Sequence, residues 1–346
     1  MQEEELRVLG FDPVKVIDLS ANLHPDGPDP AVVAAARSIR FDRYPPPHAL
    51  PLRDAIARAS KVDPGMVLVT PGATAAIHLV ARAFLGPSDA AVILGPTFGE
   101  YRPAIEAAGA RAIEATARPP AFQPRLDAPE VDTAAMVFLC QPNNPTGAYA
   151  ARPEVERLTE THEGERLTVV DAAYNDFVED AWDPDDLVRE GRPIVVIHSL
   201  TKLHAIPGLR LGYVVGAPEL VARLAALQPS WSVDAASLAA GLVATEQRQA
   251  RIAALAKTWR LRERLRRACK ARGFEVAPGR ANFLLIRTGE AASTRRTLLD
   301  HGFLARDCAS FGLPEWVRVA IPPIEHGDAL EAALAALPTP ARRGRR

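Results

Sequence analysis

The residues with the plainest chemistry lie in the segment Ser199-Leu200-Thr201-Lys202 and, a little further on, at Arg210. Two hydroxyls, one primary amine and one planar guanidinium suit a phosphate-bearing ligand held beside an amine nucleophile. Of the 41 basic residues only Lys15, Lys61, Lys202, Lys257 and Lys270 are lysine. A lysine placed just past an apolar run, in a chain that otherwise uses arginine, indicates that an amine was required and a mere positive charge was not. Lysine can lose its proton and form a Schiff base, whereas arginine cannot. The other four lysines read as replaceable solvent-facing positions.

Three further segments carry groups of the same kind. Pro71-Gly72-Ala73-Thr74 places a glycine turn before a helix, whose free N–H groups and positive dipole end attract an anion, although the same residues also make an ordinary strand-to-helix turn. Asp171 follows an apolar run; it can serve as a turn or N-cap residue, or its carboxylate can face a protonated heterocyclic nitrogen and help a pyridine ring accept electrons. Asn143-Asn144-Pro145-Thr146-Gly147 is a turn by composition, from which Asn144 presents a donor toward the same rim.

Something must position these loops, and short apolar runs precede them. Met66–Val69, Ala91–Leu94, Ala135–Leu139, Leu167–Val170, Ile194–Ile197 and Leu211–Val215 each resemble a buried strand. Helix-like segments, among them Ala73–Phe84, Tyr101–Ala108 and Pro153–Thr161, lie between them. Alternation of this kind implies α/β architecture with a mostly parallel sheet covered on both faces, and ligands then bind beyond the carboxyl ends of its strands. After Pro229 the texture changes: Asp234–Cys269 reads as long helices, with Leu261, Leu265 and Cys269 turned inward, and Ala281–Ile286 and Trp316–Ile321 as strands of a second unit. The boundaries expected are 1–50 for an arm and part of the smaller unit, 51–232 for the large unit, 233–338 for the small one and 339–346 for a disordered basic tail.

Five motifs in register, PGAT (71–74), PTFGEY (96–101), QPNNPTG (141–147), DAAYNDF (171–177) and SLTKLHAIPGLRLGY (199–213), resemble the class I/II aminotransferases, pyridoxal-phosphate enzymes of fold type I. The likeness runs from about Asp18 to Leu337. It leans toward the branch that holds histidinol-phosphate aminotransferase and the threonine-phosphate decarboxylase of cobalamin synthesis, the latter through DLSANLHPDGP (18–28), PSWSVD (229–234) and RDCASFGL (306–313).

The resemblance implies a large domain with a seven-stranded sheet sandwiched by helices, a smaller α/β domain, and a homodimer. It also implies pyridoxal 5′-phosphate bound as a Schiff base on Lys202, which later moves the α-proton of an amino acid. Asp171 would pair with the pyridine nitrogen, and Asn144 and Tyr174 would bond the ring hydroxyl. Phe98 would stack on the ring. Gly72, Ala73, Thr74, Ser199, Thr201 and Arg210 would surround the phosphate, with Tyr44 reaching over from a partner subunit. Arg318 would hold the substrate carboxylate beside Asn22, with His24 near the substrate and Arg306 a candidate for a second substrate anion. One departure stands out: the family usually writes D-E-A-Y where this chain has Asp171-Ala172-Ala173-Tyr174, which implies altered support of the site or altered substrate preference.

Transamination between an amino acid and a 2-oxo acid is the expected reaction, α-decarboxylation the alternative; a non-catalytic binding protein on this fold would carry extra sequence before residue 18. Composition agrees with an ordinary globular enzyme: 346 residues, 48% hydrophobic, 24% charged, net charge −1. Near-neutral charge disfavours nucleic-acid binding, and the basic stretch 259–272 reads as a solvated helix face. The three cysteines, Cys140, Cys269 and Cys308, show no metal-ligand spacing, and neither do the histidines, so no metal is expected. With no apolar leader and no membrane span in the sequence, the expected location is the cytoplasm.

Overall fold

Mostly apolar strands buried along their length fold into the centre of the molecule, as shown by a computed structural model that describes residues 2–160 and 166–338. The strands are β1 (Ile17–Asp18), β2 (Val67–Thr70), β3 (Ala90–Ile93), β4 (Arg111–Glu114), β5 (Met136–Cys140), β6 (Leu167–Asp171), β7 (Ile194–Ser199), β8 (Gly212–Gly216), β9 (Glu275–Val276), β10 (Phe283–Arg287), β11 (Phe303–Leu304), β12 (Arg306–Asp307) and β13 (Trp316–Ala320). The helices up to β8 are α1 (Gln2–Val8), α2 (Pro30–Arg37), α3 (Leu50–Ser60), α4 (Ala73–Phe84), α5 (Tyr101–Ala107), α6 (Pro129–Asp132), α7 (Arg152–Thr159), α8 (Asp185–Arg189) and α9 (Leu200–Leu203). Beyond it lie α10 (Pro218–Leu227), α11 (Ala235–Ala253), α12 (Ala256–Ala271), α13 (Ala291–Asp300) and α14 (Gly327–Ala336).

Seven strands form the main sheet in the order β2-β8-β7-β6-β5-β3-β4, parallel except for β8, which runs against both of its neighbours. Alternate residues serve opposite faces. Ile194 and Val196 of β7 join a cluster with Leu52 and Ile56 of α3 and Leu187 of α8. Val195 and Ile197 join the other, with Ile77 and Val80 of α4 and Ile105 of α5. A sheet so covered exposes neither face to water, which is why its strands read as unbroken apolar runs. The edge strand β4 was not among the expected ones. Its sequence, RAIE, is exposed at both ends, so an edge partner of β3 carries no continuous apolar signal.

A second, antiparallel sheet has the order β12-β13-β10-β9, and β1 pairs in parallel with β11 beside it. The arm thus returns to the C-terminal part of the chain. Helix α12 buries Leu261, Leu265 and Cys269 in this unit's cluster, each full leucine burial contributing about 1.5–3 kcal/mol. Helix α11 begins at Asp234, whose carboxylate accepts the Ser237 N–H at 2.8 Å, and it packs on α2 and α3 rather than on the smaller sheet. The basic tail 339–346 and the last residue of the expected helix Pro153–Thr161 lie outside the described residues. Among the described residues no helix is long and apolar enough to cross a membrane, and no three His, Cys, Asp or Glu side chains gather as a metal site.

Candidate active site

Five loops leave the carboxyl ends of β2, β3, β5, β6 and β7 and close around one cavity. Every cofactor residue expected from the sequence lines it except Tyr44: Gly72, Ala73 and Thr74; Phe98; Asn144; Asp171 and Tyr174; Ser199, Thr201 and Lys202; and Arg210. Cys140 and Ala173 line it as well, although nothing in the local sequence singles them out.

One end of the cavity is an anion cradle. Gly72, in a left-handed conformation with φ 94°, caps α4 without a side-chain hydrogen bond, so the first-turn N–H groups remain available. A Cβ on Gly72 would come within 3.1 Å of Arg210 Nη2. Arg210 itself holds φ 41° and ψ 65°, a backbone that L-residues adopt at some cost, and that conformation delivers its guanidinium to the turn. Gly212 leaves room for the approach, since a Cβ there would sit 2.7 Å from Ala73 N and from His198 O. Ser199 and Thr201 add paired hydroxyls 2.7 Å apart.

At the other end lies Asp171, buried and fully ordered by hydrogen bonds. Its Oδ1 accepts the Ala173 N–H at 3.0 Å and its Oδ2 accepts the Tyr101 hydroxyl at 2.8 Å. Burial pushes its carboxyl up, while those two donors and the charges of His198 and Lys202 pull it down less strongly. Lys202 stands over the Tyr174 ring, its amine 5.9 Å from the centroid, and among the described residues it forms no ion pair. The amine is therefore not held by a competing carboxylate. Burial pushes the Cys140 thiol up to about 12, which makes it a poor nucleophile.

The rim is assembled from distant parts of the chain. Arg318 is buried, donates from Nη1 to Asn144 Oδ1 and from Nη2 to Ser20 O at 2.6 Å, and keeps Nε without a partner. Asn22 donates to Tyr174 Oη at 3.5 Å while its own Oδ1 is unpartnered. His24 is brought under Lys202 rather than into the cavity: its N–H donates to Lys202 O at 3.0 Å, and its ring lies between Arg251 O and Asp26 N. Arg306 pairs across the ladder from Arg318 but lines a separate cleft and donates to Ser310 Oγ at 2.9 Å. Tyr44 is 85% exposed and lies on Trp231, clear of the cavity within its own chain. Ala172 is buried in the apolar cluster that includes Leu187 and Leu200 and does not line the cavity.

A pyridoxal phosphate fits these residues: the cradle offers N–H donors and a guanidinium to the phosphate, Asp171 retains lone pairs for a ring N–H, and the unpaired amine lies between them. Comparison with known proteins agrees. A histidinol-phosphate aminotransferase of Symbiobacterium thermophilum is 33% identical, covering 96% of this chain and 94% of its own. A threonine-phosphate decarboxylase of Salmonella typhimurium is 35% identical, covering 96% and 93%. The crystal structure of histidinol-phosphate aminotransferase from Sinorhizobium meliloti in complex with pyridoxal-5′-phosphate superposes with a TM-score of 0.85 at 22% identity, covering 97% of this chain and 93% of that one. The sequence matches the family Aminotransferase class I and II over residues 14–337, and the chain belongs to that family, the pyridoxal-phosphate-dependent aminotransferases of fold type I.

Proposed function

We propose that the protein transaminates an amino acid or a phosphorylated amino-acid-like compound against a 2-oxo acid, in the manner of the histidinol-phosphate aminotransferases it resembles. One observation carries this reading: an unpaired lysine amine, a buried carboxylate and a phosphate cradle converge on a single cavity. Bound there, pyridoxal phosphate supplies an aldehyde that captures amines and a ring that accepts an electron pair. Gly72, Ala73, Thr74, Ser199, Thr201 and Arg210 would hold its phosphate, Phe98 its ring face, and Asn144 and Tyr174 its hydroxyl. Asp171 would keep the ring nitrogen protonated. Lys202 Nζ would take the proton from the substrate α-carbon, a general base placed within the cavity. Arg318, with Asn22 beside it, would fix the α-carboxylate.

A decarboxylase reading is supported by the 35% identical relative, and it uses the same residues with the carboxylate, not the proton, aligned for loss. Borohydride reduction of the holoenzyme followed by peptide mapping should place the adduct on Lys202. With unreduced holoenzyme, amino acids should yield pyridoxamine phosphate and a 2-oxo acid, and phosphorylated amino alcohols should yield pyridoxamine phosphate and a phosphorylated ketone. Carbon dioxide without a 2-oxo acid selects the decarboxylase, and the absence of any adduct overturns both readings.

The unit division at 1–50, 51–232 and 233–338 belongs to this proposal. The separate apolar cluster around α12, α13 and α14 supports a distinct smaller unit, whereas α11, which packs on α2 and α3, counts against placing its start at 233 and moves the boundary past Ala253. A homodimer is supported by Phe41 and Tyr44, large aromatics 91% and 85% exposed on one segment; sedimentation at micromolar concentration tests it. Three buried free thiols are consistent with a cytoplasmic location.

A further inference from the structure

The geometry points to Tyr101 as a positioning residue that fixes both walls of the cofactor cavity, setting the orientation and proton affinity of Asp171 through its hydroxyl and the place of Phe98 through its ring. This deepens the proposed pyridoxal-phosphate chemistry and rests on it. Tyr101 is wholly buried, and its phenol donates to Asp171 Oδ2 at 2.8 Å. The ring stacks on Phe138 of β5, centroids 5.1 Å apart and 20° from parallel, and meets Phe98 edge-on at 5.9 Å. One rigid side chain on the first turn of α5 therefore spans from the residue that would cover the cofactor ring to the residue that would face its nitrogen. A burial role alone would be met by phenylalanine; the hydroxyl is what reaches the carboxylate. A phenol donor stabilises the carboxylate form, opposing the burial that favours the neutral acid. The cations facing Asp171 are Lys202 and His198, and Cys140 adjoins the Tyr101 hydroxyl without charge.

Tyr101→Phe tests this in the full-length protein, with pyridoxal phosphate affinity measured by titration across pH in the absence of substrate. Loss of the donor should weaken affinity on the order of tenfold near neutrality, the scale of one hydrogen bond to a charged group, and should shift the acid limb of the affinity profile to higher pH. A far-ultraviolet circular dichroism spectrum unchanged from wild type would accompany this. In an Asp171→Asn background the same substitution should add less than twofold, because its effect passes through the carboxylate. Tyr101→Phe with wild-type affinity and pH profile, or losses that multiply fully in the double variant, overturns the assignment while leaving the cofactor reading intact. Wild-type protein that takes up no pyridoxal phosphate overturns the cofactor reading itself and this assignment with it.

Discussion

The cavity floor and the cavity rim were built in different ways. On the floor, Gly72–Thr74, Phe98, Asn144, Asp171, Tyr174, Ser199, Thr201 and Lys202 each end or follow one of the mutually parallel strands of the main sheet, and all of them meet. At the rim, Asn22, His24, Tyr44, Arg306 and Arg318 come from the two ends of the chain, and they part company: Arg318 and Asn22 bond the lining residues Asn144 and Tyr174 without lining the cavity themselves, His24 is buried under Lys202, and Arg306 and Tyr44 lie elsewhere. Residues placed by a shared strand direction converge because a parallel sheet brings its carboxyl ends to one edge. Residues on separate elements converge only where packing between those elements aligns them.

The largest effect should fall on the floor. Lys202→Arg keeps a cation but removes an amine able to form an imine, so turnover should drop by at least about a thousandfold, with no borohydride adduct and an unchanged circular dichroism spectrum. Next comes the rim residue that tertiary packing delivers. Arg318→Gln should lower kcat/KM roughly a hundredfold, mostly through KM, as expected for losing one partner of a buried charge-assisted contact. Arg306→Ala should change kcat/KM for unphosphorylated amino acids by less than about threefold, as for an exposed cation; an effect equal to that of Arg318→Gln would place Arg306 back on the cavity.

The smallest effect concerns the layer beneath. Burial first, and then the charge of Arg251, hold His24 and His204 down to about 4. Each is neutral in the folded protein and takes up a proton on unfolding below its ordinary value near 6.5. Their contribution to stability is therefore present above pH 6.5 and is lost as pH falls from 6.5 toward 4. Melting temperature should decline across that interval, and His204→Gln should flatten the decline; an unaltered slope would show that His204 takes no part in it.

The core of the main sheet was legible because its strands are buried on both faces, so β5 (MVFLC) and β7 (IVVIHS) announce themselves as apolar runs ended by polar residues. β4 was not, since an edge strand needs no apolar run. Tyr101 closes the motif PTFGEY, whose sequence assigns it no role. Nothing within six residues of it indicates that its hydroxyl meets Asp171, which lies 70 positions along the chain.

Chemistry that depends on residue type was settled by the amino-acid order alone. Lysine at 202 can form an imine, a glycine at 72 permits φ 94° and exposes helix N–H groups, and both follow from covalent structure and local backbone freedom. Distances between remote groups were settled by packing. Tyr101, stacked on Phe138, holds its hydroxyl 2.8 Å from Asp171 Oδ2, and the pairing of β10 with β13 sets Arg318 against Asn144. Each contact joins elements whose separation along the chain carries no information about their separation in space, and only the filled core holds them at bonding distance.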